Sequence, residues 1–212
     1  MRRCTLLIAL LVVAAGCGGS SGKRTGPPDV LLHPGRLSAT SPRQFDAVFH
    51  TSAGEFTVRV HRAWAPHGAD RFYELVKNGF YDGAKIFRVV PGFVVQFGIS
   101  PYPDVSKAWA GATIPDDPVT RRNARGTVSF ASAGPNSRTT QVFVNLADNS
   151  PLDSRGFAPF GDVVAGLKTV DALFSGYGDA PTGHQGEMAE QGNDYLERAW
   201  PKLDTITAAS VS

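Results

Sequence analysis

F-R-V-V-P-G-F-V-V-Q-F-G, residues 87–98, and G-T-V-S-F-A-S-A-G-P-N-S-R-T-T-Q-V-F-V-N, residues 126–145, decide how this chain is read. Both blocks alternate β-branched or aromatic residues with polar ones and break at Gly or Pro, the pattern of short strands joined by tight turns. Each also sets a few polar side chains, Arg88, Gln96 and Gln141, among the aromatics Phe93 and Phe143, with no acid, nucleophile or metal cluster beside them in sequence. That combination suits binding and twisting a neutral group better than hydrolysing one.

The same texture continues on either side. Alternating runs at 47–51 and 55–61 flank Ser52-Ala53-Gly54 and predict a hairpin with a short glycine-containing loop. Further strands are expected at 84–90, 94–97, 127–131, 141–145, 160–164 and 203–211. Ala65-Pro66, followed by apolar Ala69, Phe72, Leu75 and Val76 and then Asn78-Gly79, has the start, stripe and stop of a helix. A second helix is signalled by Leu167, Val170, Leu173 and Phe174, ending at Gly176. Residues 98–125 and 176–201 read as long loops. Eight strands with only two helices do not alternate as βαβ units, which argues against a parallel sheet. The expected fold is therefore mainly β: a closed eight-stranded antiparallel barrel with two helices capping its open ends. Side chains fill the interior of so small a barrel, so a ligand groove belongs on its outer face.

The front of the chain is an appendage to one domain. Arg2 and Arg3 precede an apolar stretch over residues 6–15, and Ala14-Ala15-Gly16-Cys17 follows, the layout of a secretory signal ending in a bacterial lipoprotein box. The apolar run is shorter than the roughly 20 residues a spanning helix needs. The expected organisation is a signal peptide over 1–16, a flexible linker over 17–44 lipid-anchored at Cys17, and a folded domain over 45–212. Removing Arg2 and Arg3 takes the formal charge from +2 to zero, so the basic balance carries no message about nucleic acid. Of the two cysteines, Cys4 leaves with the signal and Cys17 takes the lipid, so no disulfide is expected.

The two opening blocks resemble the cyclophilin peptidyl-prolyl cis/trans isomerases, and the resemblance runs from about residue 45 to the end of the chain. Phe87-Arg88, Pro91-Gly92-Phe93 and Gln96 are similar to the family's F-H-R-x-x-P-G-F-x-x-Q block, with Phe87 in place of the histidine. Ala131 to Asn136 is similar to its A-N-A-G-P-N turn, Gln141-Val142-Phe143 to its Q-F-F strand, and Leu152-Asp153 and Phe160-Gly161 to its later W-L-D and F-G elements. The resemblance implies that Arg88 is the catalytic side chain and that Phe93, Val94, Phe143 and Leu152 form a proline pocket. Phe157 stands at the place of the family's pocket histidine. Gln96, Ala131, Ser132, Ala133 and Gln141 would line the adjoining groove for the peptide backbone. Val94 replaces a methionine, Ser132 an asparagine and Pro151 the tryptophan before leucine; these departures bear on cyclosporin affinity more than on activity. The implied partners are proline-containing polypeptide clients, met by a monomer outside the cytoplasm during folding of exported proteins, with no cofactor, metal or nucleic acid.

Elementary chemistry agrees with those roles. Rotation about an X-Pro amide must cross a barrier of about 18–20 kcal/mol because partial double-bond character is lost. In the twisted state the prolyl nitrogen regains a lone pair, and a guanidinium placed over it makes a hydrogen bond that exists only there. Other residue groups carry no competing chemistry. His50, His61 and His67 match no zinc spacing, and Asp116, Asp117, Asp148 and Asp153 fall where turn chemistry explains them. Ser129 and Ser132 lack a G-x-S-x-G elbow. A non-catalytic proline-peptide-binding or chaperone module on the same fold is the alternative, motivated by Phe87, Val94, Pro151 and Phe157. A lipocalin-like carrier fits less well, because Gly- and Pro-broken strands suit a plugged barrel.

Overall fold

The first hairpin sets the packing rule for the sheet. In the computed structural model, which describes residue 1 and residues 26–212, β1 (Gln44–Thr51) pairs antiparallel with β2 (Gly54–His61). Phe45, Ala47 and Phe49 of β1 lie opposite Val60, Val58 and Phe56 of β2, and all six are buried. Strand period 2 therefore sends every second residue inward. The Phe49 and Phe56 rings stack at 5.0 Å. Phe49 also meets Phe72, Tyr81 and Phe97 at ring distances of 6.0, 5.8 and 5.5 Å, so the centre of the curled sheet is filled with aromatic rings. Each buried ring of this kind stabilises the fold by about 1.5–3 kcal/mol.

The remaining strands are β3 (Arg88–Val90), β4 (Val94–Phe97), β5 (Thr127–Phe130), β6 (Val142–Asn145), β7 (Pro159–Ala165) and β8 (Ile206–Val211). They form one antiparallel eight-stranded sheet in the order β3-β4-β6-β5-β7-β2-β1-β8. The eight expected strands are present, but the closed barrel is not: the sheet is an open, curled half-barrel whose ends are β3 and β8. The segments that meet across the gap precede both strands. Lys85 and Thr205 form an isolated bridge, with Ile86 N donating to Asp204 O and Ile206 N to Ala84 O, both at 2.9 Å. The strand expected over 84–90 accordingly contributes only its last three residues to the ladder.

The helix signalled after Ala65 is α1 (Pro66–Lys77), with Pro66 in its first turn and Ala69, Phe72, Leu75 and Val76 buried. Beyond it the two long loops hold more helix than expected. Residues 98–125 contain α2 (Pro103–Trp109), whose Val105 and Trp109 are buried. The second expected helix is α3 (Leu167–Asp171), which stops short of Phe174. Residues 176–201 contain α4 (Gln185–Gln191) and α5 (Asn193–Ala199) after a 3-10 turn at Ala180–His184. Two capping helices are thus too few, among the described residues.

Part of the segment read as a linker is packed. Two 3-10 turns, Asp29–Leu32 and Pro34–Arg36, lead into the domain. Leu31 is 1% exposed, and its carbonyl accepts from Trp109 Nε1 at 2.8 Å. Ala39 N donates to Glu74 Oε1, and Ser41 donates to Asp70 Oδ1 through both N and Oγ, so this stretch runs along α1. A single buried leucine and three carboxylate contacts outweigh the tether-like composition. Apart from Met1, the stretch expected to be a signal peptide (1–16), the expected lipidation site Cys17 and the first part of the expected linker lie outside the described residues.

Candidate active site

Register places the site. Arg88 on β3 lies opposite Gln96 on β4, and Gln96 lies opposite Phe143 on β6. Their neighbours Val89, Val95 and Val144 pair in the same row and are buried in the interior. Arg88, Gln96 and Phe143 therefore share the opposite, outer face of the sheet. Gln141, one residue before β6, joins this face: Gln96 Nε2 donates to Gln141 Oε1 at 2.9 Å.

Arg88 is held on three sides. Nη1 donates to Gln96 Oε1 at 3.0 Å, Nε donates to Asp179 Oδ1 at 2.5 Å, and the guanidinium carbon lies 5.2 Å from the centre of the Phe93 ring. Beside it Val94, Phe143 and Leu152 form a small buried cluster against which Phe93, Ala131 and Phe157 pack. Phe157 meets Phe143 edge-on at 5.6 Å. Arg88, Phe93, Val94, Gln96, Ala131, Ser132, Phe143, Leu152 and Phe157 line one cavity of about 340 Å³. A second cavity of about 290 Å³ continues past Gln96, Ala131 and Ser132 to Ala133 and Gln141. Every domain residue named from sequence as catalytic or substrate-binding thus lines one of two adjoining hollows.

The pocket rests on a polar network beneath it. Asn149 Nδ2 donates to Phe93 O and to Asn145 Oδ1, both at 2.8 Å. Asn123 Nδ2 donates to Phe157 O at 2.8 Å and to Asp153 Oδ1 at 2.7 Å, while its Oδ1 accepts from Ser129 Oγ and Asn145 Nδ2. Asn123, Ser129 and Asn145 are fully buried, so these bonds replace water that cannot reach them. Asp153, read as a turn residue, also accepts from Asn123 N at 2.8 Å. The network ties together the segments that carry Phe93, Leu152 and Phe157.

On the other rim, Ser132 holds the turn that follows β5. Its Oγ bonds to Gly134 O at 2.6 Å and meets Ser137 Oγ, which in turn accepts from Ala133 N. Asn136 adopts a positive φ of 54°, a conformation that asparagine tolerates, and exchanges two 2.8 Å bonds with Asp116.

Sequence reasoning missed Arg155, Asp179, Thr182 and Gln185, which complete the first cavity. It also set no acid beside Arg88, whereas Asp179 is the acid that meets it. Asp179, Thr182 and Gln185 come from the 176–201 segment, and Gln185 Oε1 accepts from Gln141 Nε2 at 2.9 Å. The segment is seated by a second apolar core of Phe87, Ile99, Met188, Leu196 and Leu203. Phe87 is 1% exposed there, which explains why an apolar ring rather than a histidine precedes Arg88: an imidazole at that position would be buried among hydrocarbon with its nitrogens unpaired.

Comparison with known proteins points the same way. Residues 47–191 match the family model described as cyclophilin type peptidyl-prolyl cis-trans isomerase/CLD. The chain is 37% identical over 128 residues to peptidyl-prolyl cis-trans isomerase A of Dickeya dadantii, covering 58% of this chain and 67% of that protein. It is 34% identical over 128 residues to a peptidyl-prolyl cis-trans isomerase of Acinetobacter baylyi, covering 58% of this chain and 68% of that protein. Among solved structures, a cyclophilin type peptidyl-prolyl cis-trans isomerase of Cryptosporidium parvum matches with a TM-score of 0.60 at 18% identity, over 80% of this chain and 98% of that one. At that identity the last comparison speaks for the fold alone.

Proposed function

The chain belongs to the cyclophilin-type peptidyl-prolyl cis-trans isomerases, and on that premise we propose that Arg88 carries the catalytic step and that the enzyme serves exported proteins from a lipid anchor. One observation supports the catalytic assignment above all: a fixed guanidinium and the apolar cluster of Phe93, Val94, Phe143, Leu152 and Phe157 share one cavity.

The proline ring enters the pocket formed by Phe93, Val94, Phe143, Leu152 and Phe157, which fixes one side of the rotating X-Pro bond. A guanidinium has five N–H groups; Nε–H is engaged by Asp179 and one Nη1–H by Gln96, leaving three. As the amide twists, its nitrogen becomes pyramidal and accepts one of these. Because the planar amide nitrogen offers no lone pair, the bond forms only in the twisted state and lowers the barrier without tightening ground-state binding. Gln96 and Gln141 each use one N–H of their amide groups within the polar row and retain a second for the peptide carbonyls. Proton transfer, covalent chemistry and a cofactor have no part in such a rotation. The wild-type chain is expected to accelerate cis-to-trans conversion of an X-Pro peptide; conversion at the uncatalysed rate overturns the reading.

The anchor is supported by the arginines, apolar stretch and Ala-Ala-Gly-Cys at residues 2–17. Several acyl chains on one cysteine hold a protein to a membrane where a single chain would not. Cys17→Ser is expected to abolish fatty-acid labelling and release the protein from membranes; labelling that persists in the variant would assign the lipid elsewhere. Monomeric action is supported by the surface: among the described residues beyond Met1, Val164 at 41% is the one large apolar side chain that stands exposed. It offers no patch for self-association.

A further inference from the structure

We propose that Asp179 is a positioning residue that, from the 176–201 segment, fixes the orientation of the Arg88 guanidinium for catalysis. The proposal rests on the assignment of Arg88 as the catalytic side chain.

Three observations carry it. The first is contact: Asp179 Oδ1 takes the Nε–H of Arg88 at 2.5 Å, on the edge that Gln96 leaves open. With Nε and Nη1 both engaged and the face against Phe93, the plane of the guanidinium is set. Removing the Asp179 bond leaves one hydrogen bond, about which the group can swing. The second is that the carboxylate sits on a fixed support. Asp179 O accepts from Thr182 N at 3.0 Å and Thr182 Oγ1 at 2.6 Å, and Ala180 N donates to Tyr177 O at 3.1 Å. Tyr177 stacks edge-on with Trp200 at 5.1 Å, within the apolar core that includes Phe87, the residue next to Arg88. The support of the carboxylate and the backbone of the arginine are thus one packed unit.

The third observation separates positioning from stability. The Asp179 carboxylate is 62% exposed, and an ion pair whose acid stands in solvent holds little of a fold together. The segment is kept in place by its buried Met188 and Leu196, so deleting the carboxylate leaves the wall standing. What changes is the freedom of a long side chain with several rotatable bonds. Misplacement of a reacting group by about 1 Å can lower a rate by about 100-fold; here Gln96 and Phe93 still restrain the group, so a loss of about 5- to 10-fold is expected.

The experiment uses the full chain in three forms, wild type, Asp179→Ala and Asp179→Asn, with kcat and KM measured on one X-Pro peptide. The Arg88 Nε–H resonance, identified by its loss in Arg88→Ala, is followed in parallel. Asp179→Ala should lower kcat about 5- to 10-fold with KM within about twofold, and speed solvent exchange of the Nε–H signal. Asp179→Asn, whose amide oxygen still accepts from Nε, should recover most of the rate. A faster or unchanged kcat in Asp179→Ala would overturn the proposal, as would a change confined to KM or an Asp179→Asn as slow as the alanine variant. An inactive wild type sinks the isomerase reading separately and removes the catalytic half of the proposal. The Nε–H signal then still tests the contact, and its indifference to Asp179→Ala would overturn that half too.

Discussion

Arg88→Ala is expected to lower kcat/KM for X-Pro isomerisation by about 100- to 1000-fold while leaving the fold intact. The size follows from what is removed: one charged donor, set in advance at the point where a lone pair develops, contributes about 2.7–4 kcal/mol to the transition state in comparable arrangements. The ground state offers that donor no matching acceptor, so the loss should fall on kcat, with KM changing little. Stability should change little, because the ionic partner Asp179 is 62% exposed and pairs that open to solvent contribute at most about 1 kcal/mol. Gln96 loses one hydrogen bond but keeps its bond to Gln141. Peptide kinetics and thermal unfolding of the same preparation check both halves. A variant within about threefold of wild type would move catalysis from Arg88 to the polar row as a whole, since no side chain in the cavity duplicates its place over Phe93.

Where local pattern decides structure, the sequence was legible. The alternation of Phe45, Ala47 and Phe49 against Phe56, Val58 and Val60 reappears as register, and the stripe of Ala69, Phe72, Leu75 and Val76 reappears as the buried face of α1. Arg88, Gln96 and Phe143 could be grouped because strand alternation puts them on one face. What stayed hidden depends on partners far along the chain. Whether the sheet closes is settled between residues 84–86 and 204–206, some 120 positions apart, and nothing local to either segment says that they meet in a single bridge. The 176–201 segment reads as a loop because it is rich in Gly and polar residues, and Tyr177, Met188 and Leu196 are scattered among them, eleven and eight positions apart. Its core exists only once Phe87 and Ile99 are brought to it. Asp179 was invisible for the same reason, since its role comes from a contact with a residue 91 positions away. Leu31 behaved oppositely: a composition typical of tethers concealed one side chain with a buried site.

Asn123 shows how much of the pocket is maintained from below, and Asn123→Ala is expected to destabilise the protein by about 3 kcal/mol and to raise KM about tenfold. The wild-type side chain is fully buried and uses both ends: Nδ2 serves Asp153 and Phe157 O, and Oδ1 serves Ser129 and Asn145. These partners do not suffer equally when it goes. Asp153 keeps the backbone N–H of residue 123, and Asn145 keeps Thr127. The Phe157 carbonyl and the buried Ser129 hydroxyl lose the side-chain partners that they have among the described residues, at about 1–3 kcal/mol for each buried group left unsatisfied. Water entering the vacated space would satisfy part of this and sets the lower end of the range. For a domain of this size 1 kcal/mol moves the midpoint by about 2–4 °C, so Tm should fall by about 6–12 °C. The effect on binding has a separate origin. Phe157 is held to the domain through that carbonyl, and it closes the pocket against Phe143. Once released, it must be reordered by each arriving proline ring, and ordering one such side chain and its turn costs about 1.4 kcal/mol, or tenfold in affinity. The kinetic signature is therefore the reverse of Arg88→Ala: KM rises while kcat for bound peptide, which depends on the guanidinium, stays within about threefold. Thermal unfolding and full saturation curves on the two variants distinguish them. An Asn123→Ala protein with unchanged Tm and KM would show that the buried network is incidental to the pocket it underlies.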